Sequence, residues 1–126
     1  MNDTSKKVLI VEDDIALADA FSMVLKISGF EVVNSYNGKQ ALEYLEEGRA
    51  DIIVLDILMP VMDGREFLKR YNNHLHIPIL ALSNLDAKSE VERLRELGVA
   101  RYVLKASVSP QTLVSLVRSM LEKTTE

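Results

Sequence analysis

Cysteine is absent from these 126 residues, which excludes a disulfide framework, a thiolate metal site and a cysteine nucleophile. Apolar runs are short, and none approaches the roughly 18 residues that a membrane-spanning helix requires. Excess positive charge is also missing: 15 Lys and Arg stand against 19 Asp and Glu, a formal net charge of −4. Such a balance offers no electrostatic footprint for the phosphates of a nucleic acid. No glycine-rich loop follows the first apolar run, which disfavours a phosphate-cradling mononucleotide site. No charged-then-apolar leader opens the chain, so a cytoplasmic location is the expectation.

With 48% hydrophobic and 27% charged residues, the composition is that of an ordinary soluble globular protein. The length suits one domain with a proper core, expected to span 1–126 and to be ordered over about 6–122. Lys7-Val8-Leu9-Ile10-Val11 runs into Glu12-Asp13-Asp14, and Asp51-Ile52-Ile53-Val54-Leu55 runs into Asp56. Glu31 to Val33, Pro78 to Leu82 and Arg101 to Leu104 are three further short runs of the same kind. Short β-branched and Leu-rich runs bounded by charge read as buried strands of a parallel sheet.

Helical periodicity fills the intervals, with Leu17, Phe21, Val24 and Leu25 on one face of the first helix and Gly29 ending it. Further helices are expected over Lys39 to Glu47, Arg65 to Tyr71, Ala87 to Leu97 (with Asp86 as N-cap) and from Ser109-Pro110 to about Leu121. Five βα units in a row imply right-handed crossovers and a doubly wound α/β fold with helices on both sheet faces.

In such folds ligands collect in the crevice outside the carboxyl ends of the strands. Glu12 and Asp13 follow the first strand, Asp56 the third, Ser83 the fourth and Lys105 the fifth. Three carboxylates against one ammonium leave an excess that matches a divalent ion, and oxygen ligands suit Mg²⁺. Given the metal, Asp56 can act as a carboxylate nucleophile toward phosphorus. Lys105 would hold phosphoryl oxygens and Ser83 would donate to one of them. The bland alternatives are helix caps for Asp14 and Asp63, a solvated charge for Lys105 and a turn hydroxyl for Ser83. Their joint placement at successive strand ends favours a common site.

The segments Val8 to Asp13, Asp56-Ile57-Leu58-Met59-Pro60-Val61-Met62-Asp63-Gly64, Leu82-Ser83 and Tyr102-Val103-Leu104-Lys105 together resemble the receiver domain of two-component response regulators. The resemblance covers essentially the whole chain and implies a flavodoxin-like sheet in the order 2-1-3-4-5. It implies that Asp56 is the phosphoacceptor, with Asp13, Asp56 and the Leu58 carbonyl on Mg²⁺ and Glu12 acting largely through water. Ser83 and Lys105 would hold the phosphoryl group, and Tyr102 matches the aromatic switch, rotating inward from solvent once Ser83 moves. The implied phosphodonor is a sensor histidine kinase or a histidine phosphotransfer protein. The implied output is a downstream protein target or an attached output domain, with a phosphorylation-dependent dimer as one expected form.

Several residues depart from the family's pattern. Ala106 stands where proline usually follows the lysine after a cis bond, which leaves the Lys105–Ala106 geometry open. Asn84 replaces a smaller residue and is expected to narrow the path to Asp56 or to bond a phosphoryl oxygen. Leu58 and Leu85 occupy positions that tune dephosphorylation, and neither can orient an attacking water, so hydrolysis should be slow. Two other readings compete: a degenerate receiver serving only as a docking module, and a phosphatase of the haloacid dehalogenase type. The phosphatase needs a second acid two residues after its nucleophile, where this chain has Leu58. His74 and His76 read as solvated loop residues, Met59 and Met62 as packing filler. Leu113, Leu116, Val117 and Met120 form a helix core stripe, while Val114, Arg118 and Tyr102 are expected toward a partner surface.

Overall fold

A computed structural model describes residues 5–59, 62–72, 74–84 and 88–124. The chain alternates strand and helix: β1 (Lys7–Val11), α1 (Ile15–Ile27), β2 (Glu31–Ser35), α2 (Gly38–Glu47), β3 (Ile52–Asp56), α3 (Gly64–Tyr71), β4 (Ile79–Ser83), α4 (Lys88–Glu96), β5 (Arg101–Leu104) and α5 (Pro110–Thr124). A 3₁₀ turn over Lys105–Ser107 separates β5 from α5. The five strands form one parallel sheet in the order β2-β1-β3-β4-β5, as expected.

Successive strand residues point to opposite faces, so an all-apolar strand feeds two cores at once. Val8, Ile10, Ile52, Val54, Leu80 and Leu82 face a cluster completed by Phe21 and Leu25 of α1 and by Leu113 and Val117 of α5. Leu9, Val11, Ile53, Leu55, Ile79 and Ala81 face the other, completed by Leu45 of α2, Phe67 and Tyr71 of α3, and Leu94 of α4. Between these layers the polar strand ends have one free direction, toward the carboxyl edge.

Helix boundaries follow from local chemistry. Asp14, Asn37 and Asp63 accept the Leu17, Gln40 and Glu66 backbone N–H groups at 3.2, 2.9 and 3.0 Å, and Ser109 accepts that of Thr112 at 3.1 Å. Gly29 and Gly98 follow their helices at φ +102°, a conformation that an L side chain resists. The expected Asp86 cap lies outside the described residues. Met59 and Met62 pack on the core, and His74 and His76 sit in an exposed loop, as expected.

Three expectations shift. β3 runs from Ile52 to Asp56, and Asp51 stays outside it, its N–H on the Lys7 carbonyl at 2.8 Å and its carboxylate on the Lys7 N–H at 2.7 Å. β2 runs two residues further than expected, since Asn34 is matched by Ser22 on α1, whose Oγ accepts its amide at 2.9 Å. Val114 is buried in the α1/α5 core and does not face a partner surface. Arg118 lies over the Phe30 ring and donates to the Ser28 carbonyl, at the sheet end opposite Asp56.

α3 starts directly beneath the segment that leaves β3. Gly64 N–H donates to the Ile57 carbonyl at 2.8 Å, and a Cβ on Gly64 would stand 2.7 Å from Ile57 Cα. Gly64→Ala must displace the backbone next to Asp56, and overpacking of this kind costs about 1–3 kcal/mol. Urea unfolding checks the loss, and Gly48→Ala, which meets the flexible Tyr44 side chain rather than backbone, should cost less.

Candidate functional site: an acidic cluster bridged by a lysine

Glu12 leaves the end of β1 with its backbone N–H donated to Ser35 O at 3.0 Å, which extends the β1/β2 ladder by one step. Asp56 ends β3, the neighbouring strand. Both side chains are buried, at 1% and 3% exposure. Glu12, Asp13 and Asp56 each place a carboxylate oxygen within 4.8 Å of the others, Asp13 being the most exposed.

Lys105 enters from the far side of β4. Its Nζ lies 2.9 Å from Asp56 Oδ2 and 3.0 Å from Glu12 Oε1, and donates to Glu12 Oε2 at 3.2 Å. Glu12 Oε2 also accepts the Asp14 N–H at 3.0 Å, and Asp56 Oδ1 that of Leu58 at 3.3 Å. Glu12 Oε1 is buried without a directed hydrogen bond. That oxygen has an ion-pair neighbour but no donor aimed at it, which leaves coordinating capacity unused. Three oxygen donors converging on one point fit a hard divalent cation such as Mg²⁺.

Burial dominates the electrostatics. It pushes Glu12 up from 4.5 to about 7, despite the Asp14 N–H and Lys105 pulling the other way. Asp56 is raised for the same reason, against the pull of Lys105. Burial pulls Lys105 down, but the hydrogen bonds and charges of Asp56 and Glu12 outweigh it and the net shift is upward. The cluster therefore strains to shed negative charge, and a proton, a cation or Lys105 each answers that strain.

The remaining predicted residues are arranged around this core. Ser83 ends β4, buried at 1% exposure and one residue beyond Leu82, the register partner of Asp56. Tyr102 sits on β5 three residues before Lys105, opposite Ala81. Its ring is half-buried against the α2/α3/α4 core and its hydroxyl is buried with no hydrogen-bond partner, whereas an outward ring was expected. Leu58 is 51% exposed beside Asp56. Leu85 lies outside the described residues.

Asn84 has a role that the sequence did not disclose: its Oδ1 accepts the Ala106 N–H at 3.0 Å. The Lys105–Ala106 bond is trans, since the described residues contain no cis peptide. Lys105 still reaches both carboxylates.

Residues 8–118 match the sequence profile of the response regulator receiver domain, and the chain belongs to that family. Among curated relatives, the polar-differentiation response regulator DivK of Brucella anthropi is 33% identical over 92% of this chain and 96% of its own length. A probable transcriptional regulator, ycf27 of Cyanophora paradoxa, is 34% identical over 98% of this chain and 52% of its own, so the chain spans about half of that relative. The receiver domain of Francisella response regulator 1452 superposes with a TM-score of 0.85 at 29% identity, covering 95% of this chain and 99% of that one. Chemotaxis response regulator CheY4 of Vibrio cholerae gives 0.83 at 30% identity, covering 92% and 98%. Among the described residues no helix is long and apolar enough to cross a membrane.

The raised Glu12 value has a sign for stability. Between pH 4.5 and about 7 the native state binds more protons at Glu12 than the unfolded chain does, so this group's contribution falls as pH rises through that window. Urea unfolding of the metal-free protein from pH 4 to 8 should show the parent losing stability relative to Glu12→Gln, by an amount on the order of 3 kcal/mol. Parallel pH profiles for the two proteins would contradict it.

Proposed function

We propose that this chain is one receiver domain that accepts a phosphoryl group on Asp56 from a histidine kinase or histidine phosphotransfer protein, in the cytoplasm. The observation that carries the reading is Asp56 buried among Glu12 and Asp13 with Lys105 Nζ at 2.9 Å. An Asp56 carboxylate oxygen attacks phosphorus as the bond from phosphorus to the donor imidazole nitrogen breaks, and the imidazole leaves with the electron pair. Mg²⁺ held by Asp13, Asp56 and the Leu58 carbonyl, with Glu12 largely through water, would supply positive charge to the phosphoryl oxygens in transfer.

Lys105 must release the Asp56 carboxylate and follow the phosphoryl oxygens, to which its ammonium is a point-charge partner. Ser83 donates its hydroxyl to another of those oxygens. The new group carries about −1.5 to −2 charges. A hydrogen bond to such an anion contributes about 1.5–3 kcal/mol, enough to reverse the populations of two closely balanced conformers. Tyr102 is suited to be the responding element, because a buried hydroxyl without a partner costs about 1–3 kcal/mol and leaves the inward ring only weakly preferred. The face of α4, β5 and α5 would then carry the signal to a protein target or output domain. The chain acts as a regulator, turning over no substrate other than its own aspartyl phosphate.

Intact mass after incubation with acetyl phosphate tests this reading. One added phosphoryl group is expected, requiring Mg²⁺ and abolished in Asp56→Asn; an adduct that forms without Mg²⁺ or persists in the variant would overturn it. In Ser83→Ala the adduct should still form while the Tyr102 ring signals in NMR no longer shift on phosphorylation.

Leu58 is apolar, 51% exposed and two residues beyond Asp56. The adduct should therefore decay slowly, and Leu58→Asn, which can orient a water, should shorten its lifetime several-fold. An unchanged decay rate in that variant would exclude the position from control of hydrolysis.

A further inference from the structure

The parallel ladder between β4 and β5 ends at the pair Ser83 and Leu104. One step beyond, the two chains remain joined by a side chain: Asn84 Oδ1 accepts the Ala106 N–H at 3.0 Å. Ala106 lies in the 3₁₀ turn Lys105–Ser107, held internally by Val108 N–H on Lys105 O at 3.2 Å. The first N–H groups of such a turn have no partner within it. Leu104, the residue at its cap position, supplies no side-chain acceptor. Asn84 supplies one from the adjacent loop.

The bond needs both residues. A proline at 106 has no N–H to donate, and an alanine at 84 has no acceptor to offer. The two positions at which the chain departs from the family's usual residues are thus the two ends of one contact. That contact brackets Lys105, whose Nζ meets Asp56 and Glu12 together.

We infer that Asn84 is a positioning residue for Lys105: by holding the Ala106 N–H it fixes the turn from which the lysine reaches the Asp56 carboxylate. It touches no reacting atom and acts only through Lys105. Asn84 and the turn that carries Lys105 are thereby joined. The inference rests on the phosphoacceptor reading of Asp56, and its test separates the two.

The experiment measures the rate of Mg²⁺-dependent phosphorylation by acetyl phosphate in the full chain, Asn84→Ala, Lys105→Ala and the double variant. Asn84→Ala should slow phosphorylation roughly 2- to 10-fold, the range expected for loss of one orienting hydrogen bond. In the Lys105→Ala background the same substitution should change the rate by less than about 1.5-fold, since the route of its action is gone. Equal factors in both backgrounds would mean general loosening and overturn the inference, as would no effect in the full chain.

Ala106→Pro reads the bond from its donor end and should slow the reaction comparably, with the Asn84→Ala/Ala106→Pro double variant no slower than the slower single. Multiplying losses would overturn the contact as a unit. The Lys105 Cε NMR signals give an answer independent of activity: they should move in Asn84→Ala while the Phe67 ring signals in the core stay put, and unmoved lysine signals would refute positioning. If the parent chain takes no phosphoryl group, the phosphoacceptor reading fails, and the NMR comparison still decides whether Asn84 positions the lysine.

Discussion

Two carboxylates buried side by side are tolerated only if something offsets both the lost hydration and the mutual repulsion. Lys105 does so for Glu12 and Asp56, and the rest of the site is arranged around the reach that this requires. The lysine leaves β5, while Asp56 ends β3, with β4 between them. Neighbouring strands are about 4.8 Å apart, so the two side chains must close a gap of roughly 10 Å across the end of β4. The residue there is Ser83, whose side chain is short and buried. A large residue would occupy the path that the ammonium takes.

The position of the site follows from the sheet's parallel order. Helices cover both faces, so the only direction in which a polar group can leave the core is along the strands. Glu12, Asp56, Ser83 and Lys105 all lie at or just beyond the carboxyl ends of their strands. The cost of gathering charge there is visible in Glu12, lifted to about 7 mainly by burial. An ion pair of this kind is weak evidence for stability, since removal from water offsets most of the Coulomb gain. Its value lies in preorganisation: the ammonium and the carboxylates are held together at one point of the carboxyl edge.

Much of this was legible in the chain. Runs such as Val8 to Val11 and Ile52 to Leu55 declare buried strands by composition alone, and their order with the intervening helices leaves few topologies. Caps at Asp14, Asp63 and Ser109 were legible because they act within three residues. What escaped is everything decided at a distance. Asp51 accepts the N–H of Lys7, 44 residues away, with its carboxylate. Val114 turns inward because α5 packs on α1 as well as on the sheet. Tyr102 reads as a surface ring until the adjoining core draws it in and strands its hydroxyl. Asn84 and Ala106 are two unrelated oddities in the sequence, and only the β4/β5 register reveals that they meet.

The connections leading away from Asp56 are unequal, and this decides which parts of the fold a change there can reach. Toward α3 the link is rigid: Gly64 abuts Ile57 with no room for a Cβ, so α3 and the end of β3 shift together or not at all. α3 is tied in turn to α4 by Arg65, whose guanidinium donates to Glu90 at 2.6 Å in a partly buried pair. Toward β5 the link runs through the β4/β5 ladder, and beyond its last pair, Ser83 and Leu104, Asn84 accepts the Ala106 N–H while the lysine itself reaches Asp56. Both routes converge on the side of the sheet covered by α4, where Tyr102 also sits. A polar link also runs toward α1, since Glu12 Oε2, which Lys105 holds, accepts the N–H of Asp14, the α1 cap, whereas deeper in that core Val54, Leu80 and Leu82 meet apolar neighbours. A close-packed core resists continuous deformation, whereas polar contacts at a surface have discrete alternatives. The polar contacts around Asp56 at the carboxyl edge are therefore the ones with alternatives, and the two apolar clusters beneath them are the frame that holds them.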